Sequence, residues 1–184
     1  MADIPDEIIM ERVKDGDLAE MSVLFERYHL RLYNFFLKLT RNKIISQDLT
    51  QNLFYRMIRY KDSYKKEHSV KSWMYQMARN LHIDYCKEEK RSDDLFVKTD
   101  TYPVEVIDEN TGFREDDYER LEEAFALLST SQKELIILSR YQGLKYEEIS
   151  EILNQSVPAI KVAMHRTIKQ LRANYFKHNK GQVS

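Results

Sequence analysis

A chain of 184 residues, 42% hydrophobic and 32% charged, has enough apolar side chains for one medium domain or two small ones. Four glycines and three prolines disfavour turn-dense all-β folds, and the single cysteine, Cys86, excludes an internal disulfide framework and any cysteine cage for zinc. The net charge of -1 hides a segregation: residues 93–120 carry net -7, whereas residues 152–184 carry net +6 without one acid. A split of this kind points to a polyanionic partner, although a solvated basic surface would account for it too.

The first residues, MADIPDEIIMERVKDGD, are acidic and lack an apolar signal core. No apolar run approaches the roughly 20 residues of a membrane span, so the expectation is a soluble, cytoplasmic, all-α protein without direct membrane insertion.

Residues 5–92 predict a run of helices. Leu24-Phe25, Tyr28, Leu32, Phe35-Phe36 and Leu39 recur at helical spacing, with Glu26, Arg27, Arg31 and Lys38 in the gaps. Gln47 to Tyr60 repeats the pattern through Leu49, Leu53-Phe54 and Met57-Ile58. From Val70 to about Arg91, Val70, Trp73, Met74, Met77, Ala78 and Leu81 form one stripe, with Ser69 as the N-cap. Residues 93–117 keep no period and are rich in acids and turn formers, which predicts an exposed, flexible, acidic linker. Helical patterning resumes at Tyr118, so two helical domains joined by that linker are expected.

The C-terminal part predicts a helix-turn-helix. One helix runs from about Ser131 to Gln142 with Leu135, Ile136 and Leu138 inward, and Gly143 supplies its left-handed C-cap. A short helix follows from Tyr146 to Leu153. Asn154-Gln155-Ser156 makes a tight turn, and Ser156 caps a third helix that carries Pro158 in its first turn. That helix, Val157 to about Tyr175, has Ile160, Met164, Ile168 and Leu171 as its apolar stripe and Lys161, His165, Arg166, Lys169 and Arg172 on its other faces. A basic amphipathic helix after a short helix and a tight turn suits the DNA major groove, about 12 Å wide. An ordinary three-helix bundle with a basic surface would read the same way.

Four segments in order resemble extracytoplasmic-function (ECF) sigma factors, the promoter-recognition subunits of bacterial RNA polymerase. DLTQNLF, Asp48 to Phe54, is similar to the family's D-L-x-Q-E-x-F. WMYQMARNLHIDYCK, Trp73 to Lys87, is similar to W-L-x-x-I-A-R-N-x-x-x-D-x-x-R. LSTSQKELIILSRYQGLKYEEISEIL, Leu128 to Leu153, is similar to the signature ending G-L-S-Y-x-E-I-A-x-x-L, and SVPAIKVAMHRTI, Ser156 to Ile168, to the recognition helix S-x-x-T-V-K-S-R-L-H-R-A-R.

The resemblance implies a region 2 domain over 5–92, a linker over 93–117 that threads toward the RNA exit path, and a region 4 domain over 118–178. Region 2 would bind the polymerase clamp helices and melt the "minus ten" element; region 4 would bind the "minus thirty-five" element and the flap. The polymerase-binding positions map to Asp48, Leu49, Gln51, Asn52 and Arg56, with Asn52 replacing the family's acid. The loop holding the extruded base maps to Tyr64-Lys65-Lys66-Glu67-His68-Ser69, with Tyr64 as the stacking candidate and Trp73 assigned to the core. Asn80, Asp84, Lys87 and Arg91 follow on one helical stripe; Asn80 can read a base edge, while Lys87, Lys90 and Arg91 neutralise phosphates. Base reading in region 4 maps to Lys161, Val162, His165 and Arg166, and phosphate contact to Lys169 and Arg172. Ala159, Val162 and Ala163 replace the family's Thr, Ser and Arg, which implies an altered promoter sequence and an apolar contact to a thymine methyl. The family also implies an anti-sigma factor, often tethered to the inner membrane.

No phosphate-binding glycine loop and no H-E-x-x-H motif is present, so neither an enzyme nor a cofactor is expected. His82 and Cys86, four apart, could seat a metal, but an incidental pair is the preferred reading and no metal is expected. Two rivals remain: a stand-alone helix-turn-helix regulator that never touches core polymerase, and a helical adaptor that binds only protein.

Overall fold

The computed structural model describes residues 4–92 and 115–177, and no strand occurs among them. The chain divides into two compact units, one built mainly from the helices before residue 93 and the other mainly from those after residue 114. Residues 93–114 of the expected linker lie outside the described residues. Its last three residues, 115–117, do not belong to a linker, because α5 begins at Glu115. Asp117 carries structure there: the Tyr175 hydroxyl donates to its Oδ1 at 3.1 Å and ties the last helix to α5.

The first unit contains α1 (Asp6–Lys14), α2 (Met21–Thr40), α3 (Lys43–Arg59) and α4 (Val70–Ser92). Arg41 stops α2 in the left-handed region at φ 55°, and Asn42 restarts the chain as the α3 N-cap. Its Oδ1 accepts from the Ile44 and Ile45 N–H groups at 3.0 and 3.1 Å, filling two donors that the helix leaves open. Ser69 caps α4 as expected, its Oγ accepting from the Ser72 N–H at 3.0 Å. Leu24, Leu32, Phe35, Leu53, Met57, Met74 and Ala78 form the core, joined by Ile9, Met10 and Val13 of α1. Phe35 and Tyr75 meet edge-on at 5.6 Å between centroids, a geometry that aromatic quadrupoles favour. Phe25, assigned to the apolar stripe, is 43% exposed: its ring stacks on His29 and also meets the buried Phe54 ring at 4.9 Å between centroids.

The second unit contains α5 (Glu115–Ala126), α6 (Thr130–Ile136), α7 (Tyr146–Leu153) and α8 (Val157–Lys177). Ser129 and Gln132 form a reciprocal capping box at α6. The expected helix to Gln142 is not uniform, since from Ile137 to Tyr141 it widens to a π-helix. Leu135 and Ile136 before the change and Ile137 and Leu138 after it are all buried. Gly143 closes the segment at φ 67° and Asn154 makes the next turn at φ 52°. Ile149, Ile152, Ile160 and Met164 close the core under α7 and α8. The stripe of α8 runs on through Thr167 and Asn174, which are buried, whereas Ile168 and Leu171 are only half-buried. The Asn174 amide donates to the Ala124 carbonyl at 3.1 Å, so this buried polar group is satisfied.

Candidate nucleic-acid interface

The helix-turn-helix presents its basic face to solvent. Lys161, Val162, His165, Arg166, Lys169 and Arg172 are all exposed on α8, with Ile160 and Met164 buried beneath them. Among the described residues, none of these five basic side chains is engaged in an ion pair. Ser156 leads into the helix, its Oγ accepting from the Ala159 N–H at 3.4 Å. Val162, 51% exposed, is an apolar side chain offered to water beside cations, a suitable partner for a methyl group in a groove.

In the first unit the structure separates the expected loop residues. Lys65, Lys66 and His68 are exposed. Tyr64 is only 1% exposed, so it is no stacking platform for a base, which corrects the assignment from the sequence. Its hydroxyl donates to the His68 carbonyl at 3.1 Å and its ring lies 5.5 Å from that of Trp73. Burial, with the carboxylates of Glu7 and Glu11 nearby, pushes the Tyr64 hydroxyl up to about 12, so it stays a hydrogen-bond donor. Trp73, assigned to the core, is half-buried. The exposed aromatic at this end is Tyr60, with the Arg59 guanidinium 5.6 Å from its ring centroid, and the motif comparison gave no reason to select it.

Along α4, Asn80, Asp84, Lys87 and Arg91 are exposed on one side, and the Lys90 side chain lies outside the described residues. Asp84 sits between two cations, Arg56 at 3.7 Å and Lys87 at 3.9 Å. It therefore tempers the local positive field rather than offering a bare acid to DNA.

On α3, Asp48, Gln51 and Asn52 are exposed, and half-buried Arg56 donates to Asn52 Oδ1 at 3.2 Å. Leu49 is 7% exposed and faces the core, so its side chain is not a surface contact; this corrects its assignment to the polymerase-binding set. Tyr55, 60% exposed, stands four residues after Gln51 on the polar face. Its position off the apolar stripe was the available signal, although it lies outside the quoted motif.

His82 is 3% exposed, and its Nε2 lies 3.5 Å from the Cys86 sulfur. No group of three or more potential metal ligands occurs among the described residues. Likewise, no helix among them is long and apolar enough to cross a membrane.

Comparison with known proteins agrees with this geometry. Residues 24–92 match the family described as Sigma-70 region 2, and residues 118–171 match Sigma-70, region 4. The chain is 30% identical over 164 residues to the ECF RNA polymerase sigma factor SigM of Bacillus subtilis, covering 83% of this chain and 93% of that one. It is 27% identical over 166 residues to the RNA polymerase sigma factor CarQ of Myxococcus xanthus, covering 89% and 93%. The fold is similar to CnrH, solved with the cytosolic domain of CnrY, at TM-score 0.69 and 18% identity over 91% of this chain and 95% of that one. It is also similar to the sigma factor RpoE of Bartonella quintana, solved with the anti-sigma factor NepR, at TM-score 0.66 and 22% identity over 83% and 94%.

Proposed function

We propose, from the premise that this chain belongs to the ECF sigma factors of bacterial RNA polymerase, that its two helical units divide promoter recognition between them. The chain binds core polymerase and directs promoter-specific initiation by recognising and melting promoter DNA. In our reading, residues 5–92 form the region 2 domain and 118–178 the region 4 domain. Asp48, Gln51, Asn52 and Arg56, with Tyr55, face the polymerase clamp helices. Lys65, Lys66 and His68 surround the extruded base, Asn80 reads a base edge, and Lys87 and Arg91 follow the strand's phosphates. Lys161, Val162, His165 and Arg166 read the upstream element, while Lys169 and Arg172 hold phosphate. The observation that carries the reading is the exposed, unpaired basic face of α8 on a buried apolar spine.

The mechanism is binding energy spent on strand separation. Extruding a base costs a few kcal/mol, which stacking and edge hydrogen bonds must offset. Phosphate neutralisation by α8 supplies sequence-independent affinity and fixes the register in which base edges are read. No catalytic residue is assigned to the chain; bond formation belongs to the polymerase. An anti-sigma factor is the expected regulator, since CnrH and RpoE were solved with CnrY and NepR. A cytoplasmic location follows from that partnership with polymerase and promoter.

The test is reconstitution of core polymerase with this chain on supercoiled promoter DNA. Specific initiation is expected, and Lys161→Ala with Arg166→Ala should abolish start-site preference. DNA binding without initiation would instead favour a stand-alone helix-turn-helix regulator.

A further inference from the structure

The loop between α3 and α4, residues 60–69, is tied down by a helix that lies outside the matched region 2 residues 24–92. Glu7, Glu11 and Lys14 of α1 are spaced four and three apart and so share a helix face. Each meets the loop or its exit. Glu7 Oε1 accepts from the Val70 N–H at 3.3 Å, filling one of the open donors at the start of α4. Glu11 pairs with Lys66 Nζ at 2.8 Å. Lys14 Nζ donates to the Tyr64 carbonyl at 3.1 Å, while its own carbonyl accepts from Lys61 Nζ at 2.6 Å. That second bond places a cation at the C-terminal end of α1, where the helix dipole favours it. The tie is crossed: each lysine reaches the other's segment.

The helix is itself anchored. Asp6 takes Arg27 Nη1 at 2.5 Å and also accepts from the Tyr28 hydroxyl, so α1 is fixed to α2. Ile9, Met10 and Val13 bury its other face completely. Tyr64, buried beneath the crossed lysines, has Glu7 and Glu11 among the charges acting on its hydroxyl. The loop thus meets DNA with its backbone already held at both ends.

We propose that α1 is a clasp that sets the shape of the base-capturing loop, with Glu7 and Lys14 as positioning residues for promoter melting. The inference rests on the reading that Lys65, Lys66 and His68 surround the extruded base. A held loop bears its ordering cost during folding rather than at capture, and it offers one pocket shape to competing bases. Loosening the clasp should therefore degrade base discrimination before it degrades attachment to polymerase.

The experiment uses holoenzyme reconstituted with the full chain, and reads open-complex formation on a promoter and on versions substituted singly within the melted segment. For Lys14→Met and Glu7→Met the ratio of parent to substituted promoter should fall roughly five- to tenfold, as expected for the loss of one or two hydrogen bonds. Core affinity should not change, and Lys14→Arg should restore the ratio. Where Lys14→Met lowers the melting temperature, Glu7→Met, which keeps the side-chain length but removes the acceptor, carries the comparison. An unchanged ratio in both variants, alongside impaired opening in Lys65→Ala, overturns the clasp and leaves the loop's role standing. If Lys65→Ala and His68→Ala also open promoters normally, the base-capture reading falls and the clasp falls with it.

Discussion

His82 is held neutral by its surroundings. Burial pushes its pKa from 6.5 to about 4, and its Nδ1 has no hydrogen-bond partner among the described residues. The unfolded chain therefore binds a proton between those two values that the folded chain refuses. Stability from this residue is full above pH 6.5 and is lost as pH falls toward 4. Between pH 7.5 and 5 the loss amounts to ~2 kcal/mol. Urea denaturation at both pH values should show that drop in the parent and a smaller one by that amount in His82→Phe. Equal drops would mean that the ring already reaches water. His82 was legible in the sequence as half of a possible metal pair, but its depth was not. The same limit explains Tyr64 and Leu49: motif position places a residue along the chain, whereas burial depends on which helices cover it. Tyr64 lies under α1, a helix on which no motif falls.

The elements were far more legible than the depths. Alternation of apolar pairs and charges located α2, α3, α4 and α8, and Gly143 and Asn154 marked both turns of the helix-turn-helix because each adopts positive φ. The π segment after α6 was not legible, because an apolar run reads alike for an α-turn and a wider one. The turns make separable predictions. A Cβ on Gly143 would meet nothing within 4 Å, so the cost of Gly143→Ala is torsional alone. About 1 kcal/mol of lost stability is expected, read as a lower thermal midpoint. Asn154→Gly should change stability by only a few tenths of a kcal/mol, while Asn154→Val should cost more than 1 kcal/mol at the same φ of 52°. Identical midpoints for the glycine and valine variants would show that the turn relaxes out of the left-handed region.

At the scale of the whole chain, the two faces proposed to meet DNA lie in different units, and the charge pattern of the sequence marked the second of them through the acid-free stretch 152–184. Each face alone is modest; joined on one chain, the second contact is intramolecular and gains from effective concentration. Arg91 in the first unit and Arg172 in the second, both assigned to phosphate, are exposed cations that share no partner. Removing either from holoenzyme should flatten the dependence of promoter affinity on salt by a slope of roughly 0.9, one phosphate's worth of released counterions. Removing both should flatten it by about 1.8, and the two losses of binding free energy should add within roughly 0.5 kcal/mol. Filter binding across a salt series measures slope and affinity together. A double variant no weaker than Arg172→Ala alone would mean that α4 grips DNA only after α8 has docked, and promoter engagement would then be sequential.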